Sequence, residues 1–136
     1  MLPHARNRYR QVDNLTAVTG RSPAELIVLV YDRIADKLRQ AETALAQRQL
    51  DTFRQSLNEA IDLITQGLLA ALDFERGGDV ALNLGRLYDY AVRSLLRASL
   101  WNDVQPVREV AALMRDLRES WAGIAAPQAA APSLAA

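Results

Sequence analysis

Four separate stretches of this chain carry apolar residues at helical spacing, and that alone leaves few folds open. Ile27, Val30, Ile34, Leu38, Ala41 and Leu45 form the first stripe; Phe53, Leu57, Ile61, Ile64, Leu68 and Ala71 form the second. Val80, Leu84, Leu87, Ala91 and Leu95 make the third, and Val107, Val110, Met114, Leu117, Trp121 and Ile124 the fourth. Residues three and four apart share one helix face, so each stripe needs another to bury it. Helices joined by short breaks do this most simply side by side and alternating in direction. The predicted fold is all-α: an antiparallel up-down-up-down four-helix bundle with a short N-terminal arm or helix. A length of 136 residues suits one domain.

Local signals set the helix boundaries. In Ser22-Pro23-Ala24-Glu25 the serine can cap a free amide, proline suits the first helical position, and glutamate can bond back. The first helix is read from about Pro23 to Gln47. Asp51 is expected to cap the second, which ends before Asp73-Phe74-Glu75-Arg76-Gly77-Gly78, where two glycines permit a sharp reversal. The third helix is read from about Asp79 to Leu100. After Trp101-Asn102-Asp103, Asp103 caps the fourth, with Pro106 in its first turn, where a missing amide costs little. The organisation predicted is an arm over 1–21, the bundle over 22–124 and a disordered, uncharged Ala/Pro-rich tail over 125–136.

Composition removes several function classes. Lys plus Arg and Asp plus Glu are 16 each, a balance that argues against a general nucleic-acid binder. The absence of cysteine excludes a disulfide scaffold, a thiolate metal site and a cysteine nucleophile. The one histidine, His4, stands near a terminus, a poor base for catalysis, and the Glu-x-x-His pairs of di-iron bundles are missing. No enzyme, metal or cofactor is expected. Asp32, Asp36, Glu59 and Asp62 read as a solvated face, and Arg6, Arg8 and Arg10 as solvated arm residues. No apolar run is long enough to span a membrane and no signal core opens the chain, so the expected compartment is the cytoplasm.

What remains is apolar surface in excess. Leu26 to Tyr31 is apolar all round, which implies cover on more than one side, either by the arm or by a partner. Beside the third stripe run Tyr88, Val92 and Leu96 at four-residue steps, with Gly85 upstream, where a missing side chain lets another backbone come close. This row either widens the core contact or floors an exposed apolar groove. Monomers in water rarely keep such a groove without a ligand, and an amphipathic helix suits it. Trp101 is read as a lid over the bundle end in preference to an interface anchor. Asn83 can bond the preceding glycine turn or a partner's backbone.

Three blocks of residues resemble one known family, the flagellin-specific export chaperones, or FliS family. The first is Tyr9, then Ser22-Pro23-x-x-Leu26 leading into Leu29-Val30-Tyr31-Asp32. The second is Leu72-Asp73 followed by Gly77-Gly78-Asp79-Val80-Ala81-x-Asn83-Leu84-x-x-Leu87-Tyr88-Asp89-Tyr90. The third is Asn102-Asp103-Val104 with Glu109-Val110, Leu117-Arg118 and Trp121. They stand in the family's order from Tyr9 to Trp121. The family often has glycine where this chain has Arg33, and the alanine-rich tail has no counterpart there.

The resemblance implies a cytoplasmic chaperone of flagellar type III export. Such proteins bind the disordered C-terminal segment of new flagellin, prevent premature polymerisation and deliver the subunit to the export gate. The family's client wraps the bundle in extended and helical pieces, and the arm bearing the tyrosine matched by Tyr9 can occupy part of an empty groove. The client-facing residues expected here are Tyr9, Tyr88, Val92 and Leu96, followed by Val12, Tyr31, Leu57, Ile61 and Asn83. The alternative is a structural homodimer in which a second copy covers the spare apolar rows.

Overall fold

A computed structural model describes residues 20–125. Among them four helices follow one another without a strand: α1 (Pro23–Ala46), α2 (Leu50–Asp62, continued by a π-helical segment Leu63–Leu69), α3 (Phe74–Trp101) and α4 (Val104–Ala125). α1 packs between α2 and α4, and α3 closes the bundle. The arm and tail, with His4, Arg6, Arg8, Tyr9, Arg10 and Val12, lie outside the described residues.

α1 starts as predicted. The Glu25 amide donates to Ser22 Oγ at 3.1 Å and the Ser22 amide donates to Glu25 Oε1 at 3.0 Å. The amide donated to the Glu25 carboxylate, before any other influence, holds its pKa below the usual range. The start of α2 differs from expectation. Gln49 is its N-cap, without a side-chain cap bond, and Asp51 sits inside the first turn, facing the positive helix end by charge alone.

The continuation of α2 is widened by one residue per turn. The Ala70 amide reaches back five residues to the Thr65 carbonyl at 3.1 Å. Thr65 Oγ1 donates to the Ile61 carbonyl at 3.0 Å, using an acceptor near the start of the wide turn. A Cβ at Gly67 would lie 3.0 Å from Val30 Cγ1, so the bare position lets the bulged turn lie against α1.

α3 begins five residues before the predicted Asp79. Asp73 caps it by accepting the Glu75 and Arg76 amides at 3.1 and 3.2 Å. One turn then bends at Gly78, whose φ of 54° and ψ of −130° are closed to most L-residues. The glycine pair kinks a helix start instead of separating two elements. Gly78→Ala is expected to cost about 1–3 kcal/mol, read as a lower urea midpoint with unchanged m-value. The end of α3 agrees with the reading: Asn102 takes the left-handed conformation (φ 49°) and the Gln105 amide donates to Asp103 Oδ1 at 2.9 Å.

The core joins all four helices. Ile34, Leu38 and Ala41 from α1 meet Phe53, Leu57 and Ile64, with Ala91 and Leu95 from α3 and Val107, Val110 and Met114 from α4. The stripe of α3 is shifted by one residue in its first half. Ala81 and Tyr88 are buried where Val80 and Leu87 were expected, and Val80 is 69% exposed. Ion pairs cross the outside, Lys37–Glu59 at 3.3 Å, Arg108–Glu42 at 2.7 Å and Arg118–Asp32 at 2.8 Å. Such exposed pairs contribute about 0–1 kcal/mol each, so apolar burial dominates stability.

Candidate functional site

The fourth stripe is sealed at one end and open at the other. Val107, Val110 and Met114 are fully buried, Leu117 and Trp121 are half-buried, and Ile124 is 67% exposed. α4 is therefore less covered towards its C-terminal end, which lies beside the kinked start of α3. Between them lies an apolar groove of about 540 Å³, walled by Val80 and Leu84 on one side and Leu117, Trp121 and Ile124 on the other. Ala71 and Leu72 close one end, and Asp73, Arg76 and Ser120 supply the polar lining. Gly77, also in the lining, puts no side chain over the opening.

The core itself contains a buried polar pair. Tyr31 and Tyr88 are each 1% exposed, and their hydroxyls share a hydrogen bond of 2.6 Å. Half-buried Trp121 packs against this core. Burial, the main cause, raises both phenols above the ordinary tyrosine pKa, because a phenolate would lose its water.

The expected client-facing residues divide accordingly. Tyr31, Tyr88 and Leu57 lie in the core, a correction to their placement on a surface. Leu57 is 0% exposed, and the tyrosines turn inward because each hydroxyl finds the other. Ile61 and Val92 are half-buried and packed against the core. Leu96, at 48%, and Asn83 are exposed. Leu82 and Leu100 stand on the same flank of α3 as Leu96, at 45% and 74% exposure. The row begun by Tyr88 thus runs from core to surface.

Two further readings change. Trp101 is 75% exposed, so it is no lid over the bundle end. Gly85 admits the Phe74 ring, not another backbone: a Cβ there would lie 3.4 Å from Phe74 Cε1. Val80, Leu84, Leu117, Trp121 and Ile124 belong to stripes expected to be core, and the structure puts them in the groove lining instead. The signal available was Gly77-Gly78, two residues without side chains at the end of the bundle where the fourth stripe has to be covered.

Three acidic residues expected on a solvated face take part in ion pairs. Asp32, Asp36 and Glu59 pair with Arg118, Arg39 and Lys37, and among the described residues no three potential metal ligands cluster. No described helix is long and apolar enough to cross a membrane.

The family described as Flagellar protein FliS matches residues 5–128. The chain belongs to the FliS family. It is 41% identical over 113 residues to the flagellar secretion chaperone FliS of Salmonella typhimurium, covering 83% of this chain and 84% of that one. To FliSB of Pseudomonas aeruginosa it is 37% identical over 120 residues, 88% and 94% of the two chains. The FliS of Escherichia coli is 36% identical over 113 residues, 83% of each. In this FliS-family bundle the apolar groove between α3 and α4 is the candidate site among the described residues.

Proposed function

We propose that this protein is a cytoplasmic export chaperone that binds the C-terminal region of flagellin, prevents its premature polymerisation and keeps it competent for flagellar type III secretion. The observation that carries the reading is the open seam between α3 and α4, where Val80 and Ile124 remain about two-thirds exposed beside half-buried Trp121. The relatives named above are flagellar secretion chaperones, which fits an apolar guest. A client disordered before binding loses conformational entropy as it orders, so it needs a wide apolar footprint. The seam and the Leu82–Leu96–Leu100 flank supply two parts of one. The loaded complex is then what the export gate receives.

A peptide matching the last helical stretch of the cognate flagellin is expected to bind with a negative heat-capacity change, measured by calorimetry at several temperatures. No heat of binding at tens of micromolar would sink the reading. Leu96→Asp is expected to weaken binding while preserving helicity, because the side chain is half exposed in the free protein.

A further inference from the structure

We propose that the apolar groove between α3 and α4 is also the docking site of this chain's own C-terminal tail, residues 126–136, which a client has to displace. The competition with a client rests on the chaperone reading; the docking itself does not.

The tail leaves the bundle at the edge of the groove. α4 ends at Ala125, and Ile124, one residue earlier, lines the groove at 67% exposure. Pro127 disfavours helical backbone at Ala126, so the sequence gives α4 no easy straight continuation. The wall on α4 runs from Leu117 to Ile124, about 10 Å of helix. Leu134 stands nine residues beyond Ala125, a reach of up to about 30 Å. The tail is therefore long enough to double back and lay Leu134 anywhere along that wall.

Chemistry selects this groove over its neighbour. Residues 126–136 contain no charged side chain, and Leu134 is their one large apolar residue. The hollow on the other side of the α4 end, between α1 and α4, is lined by Arg21, Glu25, Asp32 and Arg118, which an uncharged segment cannot answer. The N-terminal arm joins α1 on that charged side, through Arg21, and carries Arg6, Arg8 and Arg10. Each terminal segment thus departs beside the surface that suits its own composition.

Weak contact is enough for the tail. A segment tethered by a short linker meets its site at an effective concentration in the millimolar range, so one leucine and several alanines can fill the groove for much of the time. A client binds only the open fraction, and its apparent affinity falls by that fraction. The family match ends at residue 128, so Leu134 lies beyond it.

The test uses the full chain carrying Trp101→Phe, which leaves Trp121 as the sole tryptophan, since the sequence has two. Into it Ala130→Gln and Leu134→Gln are introduced together, because glutamine is polar without a charge for Asp73 or Arg76 in the lining to attract. Two quantities are read: the emission maximum of Trp121 without client, and the affinity for the flagellin C-terminal peptide. The expected result is a red shift, as water replaces the tail, and binding tighter by about threefold or more. An unchanged emission maximum overturns the proposal, and so does a red shift with unchanged or weaker binding. A red shift caused by Val12→Gln in the arm and not by the tail pair assigns the groove to the arm, and a red shift of the parent on dilution assigns it to a second copy; either overturns the proposal. If parent and variant both bind no peptide, the chaperone reading fails, while the Trp121 shift still decides the docking.

Discussion

Leu57→Asp is expected to abolish cooperative folding at neutral pH, whereas Leu96→Asp leaves the bundle intact. Leu57 is 0% exposed and belongs to the core that joins the four helices. Removing the leucine forfeits about 2–5 kcal/mol of packing, by analogy with Leu→Ala substitutions. Burying a polar group without a partner costs about 2–7 kcal/mol more, and an ionised carboxylate exceeds that. A domain of this kind has about 5–15 kcal/mol in hand, so the sum removes most or all of it. Leu96 is half exposed, and surface substitutions usually stay within about 0.5 kcal/mol. Circular dichroism with urea titration separates the outcomes. A cooperative Leu57→Asp protein would mean that the second helix faces outward at that point.

A second large effect is expected in alkali. The folded pKa values of Tyr31 and Tyr88 are raised, chiefly by burial, above the unfolded value of about 10. Below about pH 10 both states hold the protons and stability is unaffected. Above it the unfolded chain releases them while the folded chain keeps them, so the unfolded state binds fewer protons and stability falls as pH rises. The slope is about 1.4 kcal/mol per pH unit for one phenol and about 2.7 for two, until the folded values are reached. Urea midpoints at pH 9, 10.5 and 11.5 measure it. The protein with both tyrosines replaced by phenylalanine should lose this part of the pH dependence. An equally steep fall without the two phenols would assign the effect elsewhere.

The helix count and most boundaries were legible because their causes are local. The Ser22–Glu25 box, the Asp103 cap and Pro106 act within a few residues of themselves, and any reader of the chain sees both partners. The phase of α3 was not legible. Leu87 is the more apolar choice for the inside, but Tyr88 goes in because a hydroxyl 57 residues away satisfies it. The π-helical turn has no compositional mark; Gly67 shows its purpose only once Val30 lies across it. The groove residues are apolar members of helical stripes, which by pattern alone point to the interior. Periodicity reports which face is greasy but not whether the facing helix stays close enough to cover it. The groove left between α3 and α4 is a tertiary fact.

That groove leaves the free protein with a deficit that a guest, on the proposed reading, would make good. Because Leu117, Trp121 and Ile124 continue the buried stripe of α4, a docked segment would not build a separate interface; it would act as the missing stave of the barrel. Occupancy and foldedness then draw on the same surface, and the loaded protein should resist heat better in proportion to how tightly it grips. The converse limits how such a protein can be improved: a substitution that lets the bundle shut its own gap would harden it and leave the passenger nowhere to sit.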